Sequence, residues 1–438
     1  MKLTLSAYSL SRATSSPRRS RRQHLSNLLL IVLAGLTVFN IRSFFYGIDN
    51  ALRGYTDFSA FYSAGILVRD GSGQQLYTYE AQEEVQKQLF ATAESRTGPA
   101  PYYHPSFEVL AFLPLTYTSY GHAYLSWVVV NLLVLIAVPL LLFPFLLNLR
   151  PIFNINVILS FFAFFPNFIG LYHGQDSIVL LLVFVGALIS LKRDRPLWAG
   201  VLLAFGLFRF QFVAPFLLLF LIKKQWKVIR GFSATAVLLV AISIFITGWQ
   251  GAIRYVNFLW EINQTLTDPA QQVRFAVYPR SMPSLRGLLY TLFAGYFSDV
   301  AITIVSFLFS LLVLLWFYSY LRKRIRNRIV DIDQEFSIGI VVMLLVGFHV
   351  HLHDWSLLML PILLVSNRLA LLNPPRGLEL WQLGFTVLLL LMTPVYLALI
   401  GLAFMSVLFI PLLGFARLIV SAMELRRGCE LPEAVAES

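Results

Sequence analysis

The stretch LSNLLLIVLAGLTVFNIRSFFY, residues 25–46, decides the fold class of this chain. It is apolar over about the 20 residues that a helix needs to cross a hydrocarbon core. It is too long for the core of a signal peptide, and it follows an arginine-rich tail, residues 1–24. We therefore predict a retained first membrane span with its N-terminal tail in the cytoplasm.

Composition and further apolar runs extend this prediction to the whole chain. The 438 residues are 58% hydrophobic and 13% charged, whereas a soluble protein carries about a quarter charged residues. The runs are continuous rather than alternating, which excludes a β-barrel. We predict an all-α polytopic membrane protein with about twelve transmembrane or re-entrant helices. After the first span, the predicted helices are 121–147, 152–171, 176–191, 196–208, 211–222, 229–249, 299–320, 335–350, 355–373, 378–397 and 400–424.

The predicted layout has one membrane domain, 25–425, between a basic tail, 1–24, and a C-terminal tail, 426–438. Two long outer loops, 47–120 and 250–298, interrupt it, and helical spacing of apolar residues predicts helices at Phe58–Arg69 and Glu80–Ala91. The runs 196–208 and 211–222 are each too short to cross the bilayer, so a buried, broken hairpin is expected.

Charge and cysteine content exclude several function classes. The net charge of +12 falls mostly in short clusters between apolar runs on the predicted cytoplasmic side, as membrane topology requires. It therefore does not indicate a nucleic-acid partner. The single cysteine, Cys429, excludes an intrachain disulfide and a cysteine metal cluster.

Asp57 is the acidic residue that the first span brings to the lipid–water boundary, within the aromatic run Tyr55–Tyr62. A carboxylate in such surroundings should have a raised affinity for protons, which suits a general base. An N-cap for the following helix is an equally good interpretation.

Other polar residues map to the same predicted outer face. Apart from His24, every histidine lies there. A channel would instead thread polar residues through the bilayer, so we expect a site beside the outer loops. Its candidate substrate-binding residues are Arg209, His104, His173, Gln175, Arg274, Arg280, His349, His351, His353 and Asp354.

Arg209 and the histidine run each have two interpretations. An arginine inside a membrane marks either a function, here phosphate binding, or a buried ion pair. On a helix, His349 and His353 would share a face and could bind a metal. No glutamate follows the first histidine as in a zinc-hydrolase motif, so we expect substrate contacts and no metal or other cofactor; helix-end capping is the alternative.

Four local patterns resemble glycosyltransferase family 87, whose members belong to the GT-C class and use polyprenol-phosphate-mannose. The patterns lie at Asp57–Gly65 with Leu76-Tyr77, at Tyr103–Leu115, at Gly174-Gln175 with Ala199-Gly200 and Arg209, and at His353-Asp354. The family commonly has Tyr-Pro-Pro at the second pattern and Lys-Pro where this chain has Arg209-Phe210.

The resemblance implies a GT-C-like bundle whose outer loops carry interfacial helices. It implies an inverting hexosyltransferase, with mannose the expected sugar, in a bacterial inner membrane with the site facing outside. Asp57 would be the catalytic base. The partners would be a polyprenyl-phosphate-linked sugar, a glycolipid, glycan or protein acceptor, and membrane lipid. The alternatives are a lipid-linked sugar transporter without glycosyl transfer, a ligase that uses a diphosphate-linked oligosaccharide, and a non-catalytic envelope subunit.

Overall fold

The structure, a computed structural model, describes residues 17–90, 100–149, 155–264, 269–275, 277–329, 331–370, 386, 389 and 391–424. The described residues form helices and contain no β-strand, apart from an isolated bridge between Ala294 and Phe297. The chain is an all-α polytopic membrane protein. In chain order the α-helices are α1 (Pro17–Leu52), α2 (Phe58–Arg69), α3 (Tyr79–Leu89), α4 (Val109–Phe112), α5 (Tyr120–Leu142), α6 (Ile155–Ala163), α7 (Phe165–His173), α8 (Ser177–Lys192), α9 (Pro196–Phe205), α10 (Phe210–Ile222), α11 (Trp226–Gln264), α12 (Pro269–Arg274), α13 (Leu285–Phe293), α14 (Asp299–Arg326), α15 (Ile332–Val346), α16 (Met359–Leu369), α17 (Thr393–Gly401) and α18 (Phe409–Glu424).

Five described stretches are long and apolar enough to cross a membrane, or six if the bent pair α6–α7 counts as one span. The two helices of that pair meet at 58°, because Pro166 near the start of α7 interrupts the backbone hydrogen bonding of a continuous helix. The five stretches are Ser26–Leu52, Tyr120–Phe145, Pro196–Ile222, Trp226–Ile262 and Asp299–Arg326. The predicted span 378–397 lies mostly outside the described residues.

The shorter helices form the interior of the bundle. Every residue of α15 after Asp333 is buried, as expected for a helix that is apolar nearly all round. At about 1.5 Å per residue, its 15 residues span about 22 Å and the 16 residues of α8 about 24 Å. Both are shorter than the hydrocarbon core of about 30 Å.

Ion pairs align these short helices. Lys192 at the end of α8 lies 2.6 Å from Asp333, and Lys223 after α10 pairs with Glu335. Both acidic residues belong to the first turn of α15. We call this end of the bundle the lysine end. The opposite end, where Asp176, Arg209 and Asp354 meet, is the turn end.

The stretch Pro196–Ile222 therefore reverses direction, although its length alone would permit a straight span. Its two ends lie close to Lys192 and Lys223 at the lysine end, while Arg209 at its middle contacts Asp176 at the turn end. Arg209 itself has non-helical backbone angles, φ −117° and ψ 57°, which mark the break between α9 and α10. The arrangement agrees with the predicted broken hairpin.

The predicted outer loops are largely helical. The first contains α2, at the predicted bounds, and α3. The second begins inside α11, which continues to Gln264 past a kink at Gly248, where φ is +69°. Phe58 at the start of α2 is fully buried against the rings of Phe112, Tyr120 and Tyr124. This packing holds the residue before it, Asp57, over the turn end.

Candidate active site at the turn end

Three chain reversals converge at the turn end. They are the α7–α8 turn at residues 174–176, the α9–α10 break at Arg209, and the segment 347–354 after α15. Gly174 makes the first reversal possible, because it has φ +65° and a Cβ there would lie 2.7 Å from Cβ of Phe58. Glycine is required on both grounds. The close approach places the next residue, Gln175, beside Asp57.

Asp57 is held by two side chains from the first reversal. Nε2 of Gln175 donates a hydrogen bond of 2.7 Å to Oδ2 of Asp57, and Nδ1 of His173 lies 3.3 Å from the same oxygen. The Asp57 side chain keeps 47% of its accessible surface, whereas that of His173 keeps 34%. Asp57 precedes α2, but its side chain makes no capping hydrogen bond. The capping interpretation is therefore wrong.

The protonation state of Asp57 differs from the expected one. Burial acts to raise the pKa of the carboxyl, but the charge of His173 and hydrogen bonds from His173 and Gln175 hold the pKa well below its ordinary value. The prediction of a raised pKa for Asp57 is therefore wrong. The aromatic neighbours of Asp57 are evident in the sequence, but His173 and Gln175 come close to it only in the folded chain. Asp57 is ionised at neutral pH.

Arg209 is enclosed by carboxylates. Its Nε and Nη2 donate to Oδ1 of Asp176 at 2.9 and 2.6 Å, and its Nη1 lies 3.8 Å from Oδ1 of Asp354. Nη2 also donates to Oε1 of Gln175 at 2.5 Å. The guanidinium is only 3% exposed. The geometry matches the ion-pair interpretation of Arg209.

A second buried cluster lies behind Asp176. Nδ1 of His104 lies 2.7 Å from Oε2 of Glu108 and 3.2 Å from Oδ2 of Asp176, and the hydroxyl of Tyr102 donates to Glu108. Burial would lower the pKa of His104, but the two carboxylates raise it to about 9. A cationic imidazole shared by two carboxylates explains these distances.

This cluster is also where the described residues could bind a metal ion. The ligand atoms of His104, Glu108 and Asp176 lie within 4.8 Å of one another. Arg209 and His104 already supply positive charge to the carboxylates. A divalent cation would have to displace the proton of the His104 imidazole and would lie close to the positively charged guanidinium of Arg209. The donor set therefore fits a salt-bridged cluster better than a metal site.

The histidine run surrounds Asp354. Oδ2 of Asp354 accepts a hydrogen bond from the backbone N–H of His351 at 2.7 Å, and Nδ1 of His353 lies 3.3 Å from its Oδ1. The rings of His351 and His353 stack with their centroids 5.4 Å apart. Burial and His353 lower the pKa of His351 to about 4, so this imidazole is neutral at neutral pH.

The proposed metal pair of His349 and His353 does not share a helix face. His349 lies in a bend after α15, whereas His353 belongs to a 3₁₀ turn, Leu352–Leu358. The helical spacing on which that alternative depended is absent from these residues.

Two of the predicted arginines lie apart from this cluster. Arg274 pairs with Glu80 at 3.6 Å and lies over the ring of Tyr79. Arg280 is exposed in the turn Pro279–Ser281. Among the described contacts, neither arginine reaches Asp57 or Asp354.

Sequence reasoning missed two members of the site. Glu108 was not singled out, although its four-residue spacing from His104 is a signal for a helical pair. Asp176 directly follows Gln175 and is not among the candidate residues, although a buried arginine needs such a partner.

Comparison with known families gives one match. The model of glycosyltransferase family 87 matches residues 102–347, more than half of the chain. The matched range contains Gln175, Asp176 and Arg209, and it leaves out Asp57 and His349–Asp354. No curated protein and no solved structure matches the chain.

Proposed function

Because the chain belongs to glycosyltransferase family 87, a family of membrane glycosyltransferases, we propose that it transfers a hexose from polyprenyl monophosphate to an acceptor hydroxyl. We propose mannose as the sugar and inversion at its anomeric carbon. A glycolipid, a glycan or a protein would carry the acceptor hydroxyl.

The geometry around Asp57 carries this proposal. It is a half-exposed, ionised carboxylate with two donors on one oxygen, at the end of a bundle whose interior helices fall short of the bilayer thickness. A lipid-linked substrate with its tail among the helices would bring its sugar to this depth.

In the proposed step, Asp57 takes the proton of the acceptor hydroxyl as the hydroxyl oxygen attacks the anomeric carbon. The new C–O bond forms as the bond from that carbon to the phosphate oxygen breaks, and the electron pair leaves with polyprenyl phosphate. A carboxylate that stays ionised is available as a base over the whole neutral pH range. Phosphate leaves without prior protonation by a separate acid.

The lipid phosphate would lie beside the segment His349–His353. His349 and His351 are half-buried at the rim of the turn end, and their N–H groups can donate to phosphate oxygens. His173, next to Asp57, is placed to contact the sugar. Arg274 and Arg280 are candidates for contacts at the outer edge, in the segment before α13.

We propose that the turn end faces the outside of a bacterial inner membrane. The lysine end carries Lys192, Lys223 and Lys227, and basic residues in short loops favour the cytoplasmic side. Asp57 lies at the other end of the same short helices.

The direct test is transfer of labelled mannose from polyprenyl-phosphate-mannose by purified protein, with lipid and acceptor fractions analysed separately. Asp57→Asn keeps the shape of the side chain but removes the base, so we expect a loss of transfer of roughly 10²–10⁴-fold with unchanged melting temperature. Near-wild-type transfer by this variant would rule out the base. Movement of intact lipid across the bilayer without loss of sugar would favour a transporter.

A further inference from the structure

Gln175 bridges two charged groups, the guanidinium of Arg209 and the carboxylate of Asp57. Its Oε1 accepts from Nη2 of Arg209 at 2.5 Å, and its Nε2 donates to Oδ2 of Asp57 at 2.7 Å. A guanidinium only donates hydrogen bonds and a carboxylate only accepts them. Only a side chain with both an acceptor and a donor can bridge this pair.

The ion pair behind Gln175 determines which way its amide points. Arg209 is held by Asp176 through hydrogen bonds from Nε and Nη2, and its side chain is 3% exposed. The buried guanidinium must face the amide oxygen, so the amide nitrogen must face Asp57. Reversing the amide would leave donor against donor at one end and acceptor against acceptor at the other, so that both hydrogen bonds would be lost.

The two described contacts of the Asp57 carboxylate meet at one oxygen. Gln175 and His173 both approach Oδ2, although the side chain is 47% exposed. Two donors stabilise negative charge on Oδ2 and restrict rotation of the carboxylate. The other oxygen, Oδ1, is then directed away from both donors.

On this geometry we propose that Gln175 is a positioning residue for Asp57, and that Oδ1 of Asp57 accepts the proton of the acceptor hydroxyl. The inference rests on the proposed function and makes it more specific. It revises the expected role of Gln175, which is 5% exposed and has both ends of its amide engaged by protein. Gln175 acts through Asp57 and does not touch the substrate.

Gln175→Glu is the sharpest test, because it is isosteric and changes one atom. The new carboxylate still accepts from Arg209 but places an acceptor against Oδ2 of Asp57, which turns the catalytic carboxylate away. We expect kcat to fall by roughly 10²-fold, since a displacement of about 1 Å in a reacting group can cost that much. KM for donor and acceptor should stay within about twofold, because no substrate contact is removed.

Two more variants complete the series. Gln175→Asn keeps donor and acceptor but is one methylene shorter, so we expect a smaller loss of kcat. Gln88→Glu is the matched control, because Gln88 is an exposed glutamine in α3 that bonds only Glu84 among its described side-chain partners. This control should have wild-type kinetics.

The outcomes separate the inference from the proposed function. The proposed function stands if the wild-type protein transfers the sugar and Asp57→Asn does not. In that case, a raised KM with unchanged kcat in Gln175→Glu would overturn the positioning role. Unchanged kinetics in Gln175→Glu would overturn it as well. If both Gln175 variants fail to fold, Gln175 serves the fold and the inference is wrong. Wild-type protein that transfers no sugar would refute the function itself.

Discussion

At the scale of single residues, the site is a series of charged and polar side chains, each of which pairs with the next. Asp57 bonds Gln175, Gln175 bonds Arg209, and Arg209 bonds Asp176. Asp176 in turn faces His104. Buried ions are tolerated only when they are paired and hydrogen-bonded, so each of these residues depends on the one behind it.

His104 should make stability depend on pH. The carboxylates of Glu108 and Asp176 outweigh the effect of burial and raise the pKa of His104 from 6.5 to about 9. A raised folded-state pKa contributes stability that is fully present below pH 6.5 and is lost as pH rises through 9. We therefore expect the melting temperature to fall between pH 6.5 and 9.

Thermal melts of purified protein across this pH range check the prediction. His104→Gln should be less stable than wild type at pH 6.5 and should lose most of the pH dependence. His122→Gln is the control, because His122 is exposed and contacts only Ser119 among its described side-chain partners. A pH profile that His104→Gln leaves unchanged would contradict the assignment.

At the scale of helices, the close contact of α9 with α11 holds the broken hairpin in the bundle. Gly200 on α9 and Gly231 on α11 let the two backbones approach closely. A Cβ at Gly200 would lie 2.0 Å from the carbonyl oxygen of Val228, and one at Gly231 would lie 2.2 Å from that of Leu197. Small residues at such crossings are typical of helix pairs in membranes.

Alanine at either glycine should therefore destabilise the protein. The clash is with backbone, which cannot rotate away, so we expect a cost at the upper end of the roughly 1–3 kcal/mol for overpacking and a lower melting temperature. Gly35→Ala is the control, because a Cβ there has nothing within 4 Å. Equal melting temperatures for Gly200→Ala and Gly35→Ala would show that α9 and α11 are not in close contact.

At the scale of the whole molecule, the lysine end and the turn end define a polarity that labelling can test. Cys429 is the only cysteine, so a Cys429→Ser background carries no thiol. We expect Tyr117→Cys, at an exposed position near α2, to react with a membrane-impermeant maleimide on intact cells. Lys227→Cys should react only after the membrane is opened. The opposite pattern would place the site in the cytoplasm and refute the proposed orientation.

The sequence by itself determined the class of the molecule. Continuous apolar runs such as residues 25–46 must become helices, because a bilayer offers no water to backbone groups. It also determined that α2 begins at Phe58 and that a break falls near Arg209, since helical periodicity, an intramembrane charge and short apolar runs are local signals. The resemblance to glycosyltransferase family 87 followed from short motifs in the chain.

Only the tertiary structure decided which charges face each other. Arg209 and Asp354 are far apart in the chain and meet because three reversals converge at one end of the bundle. The low pKa of Asp57 likewise depends on His173 and Gln175, which come from the end of α7 and the turn after it. The physical reason is that a charge in a membrane protein is governed by the groups within a few ångströms of it. Packing selects those groups, and sequence spacing does not.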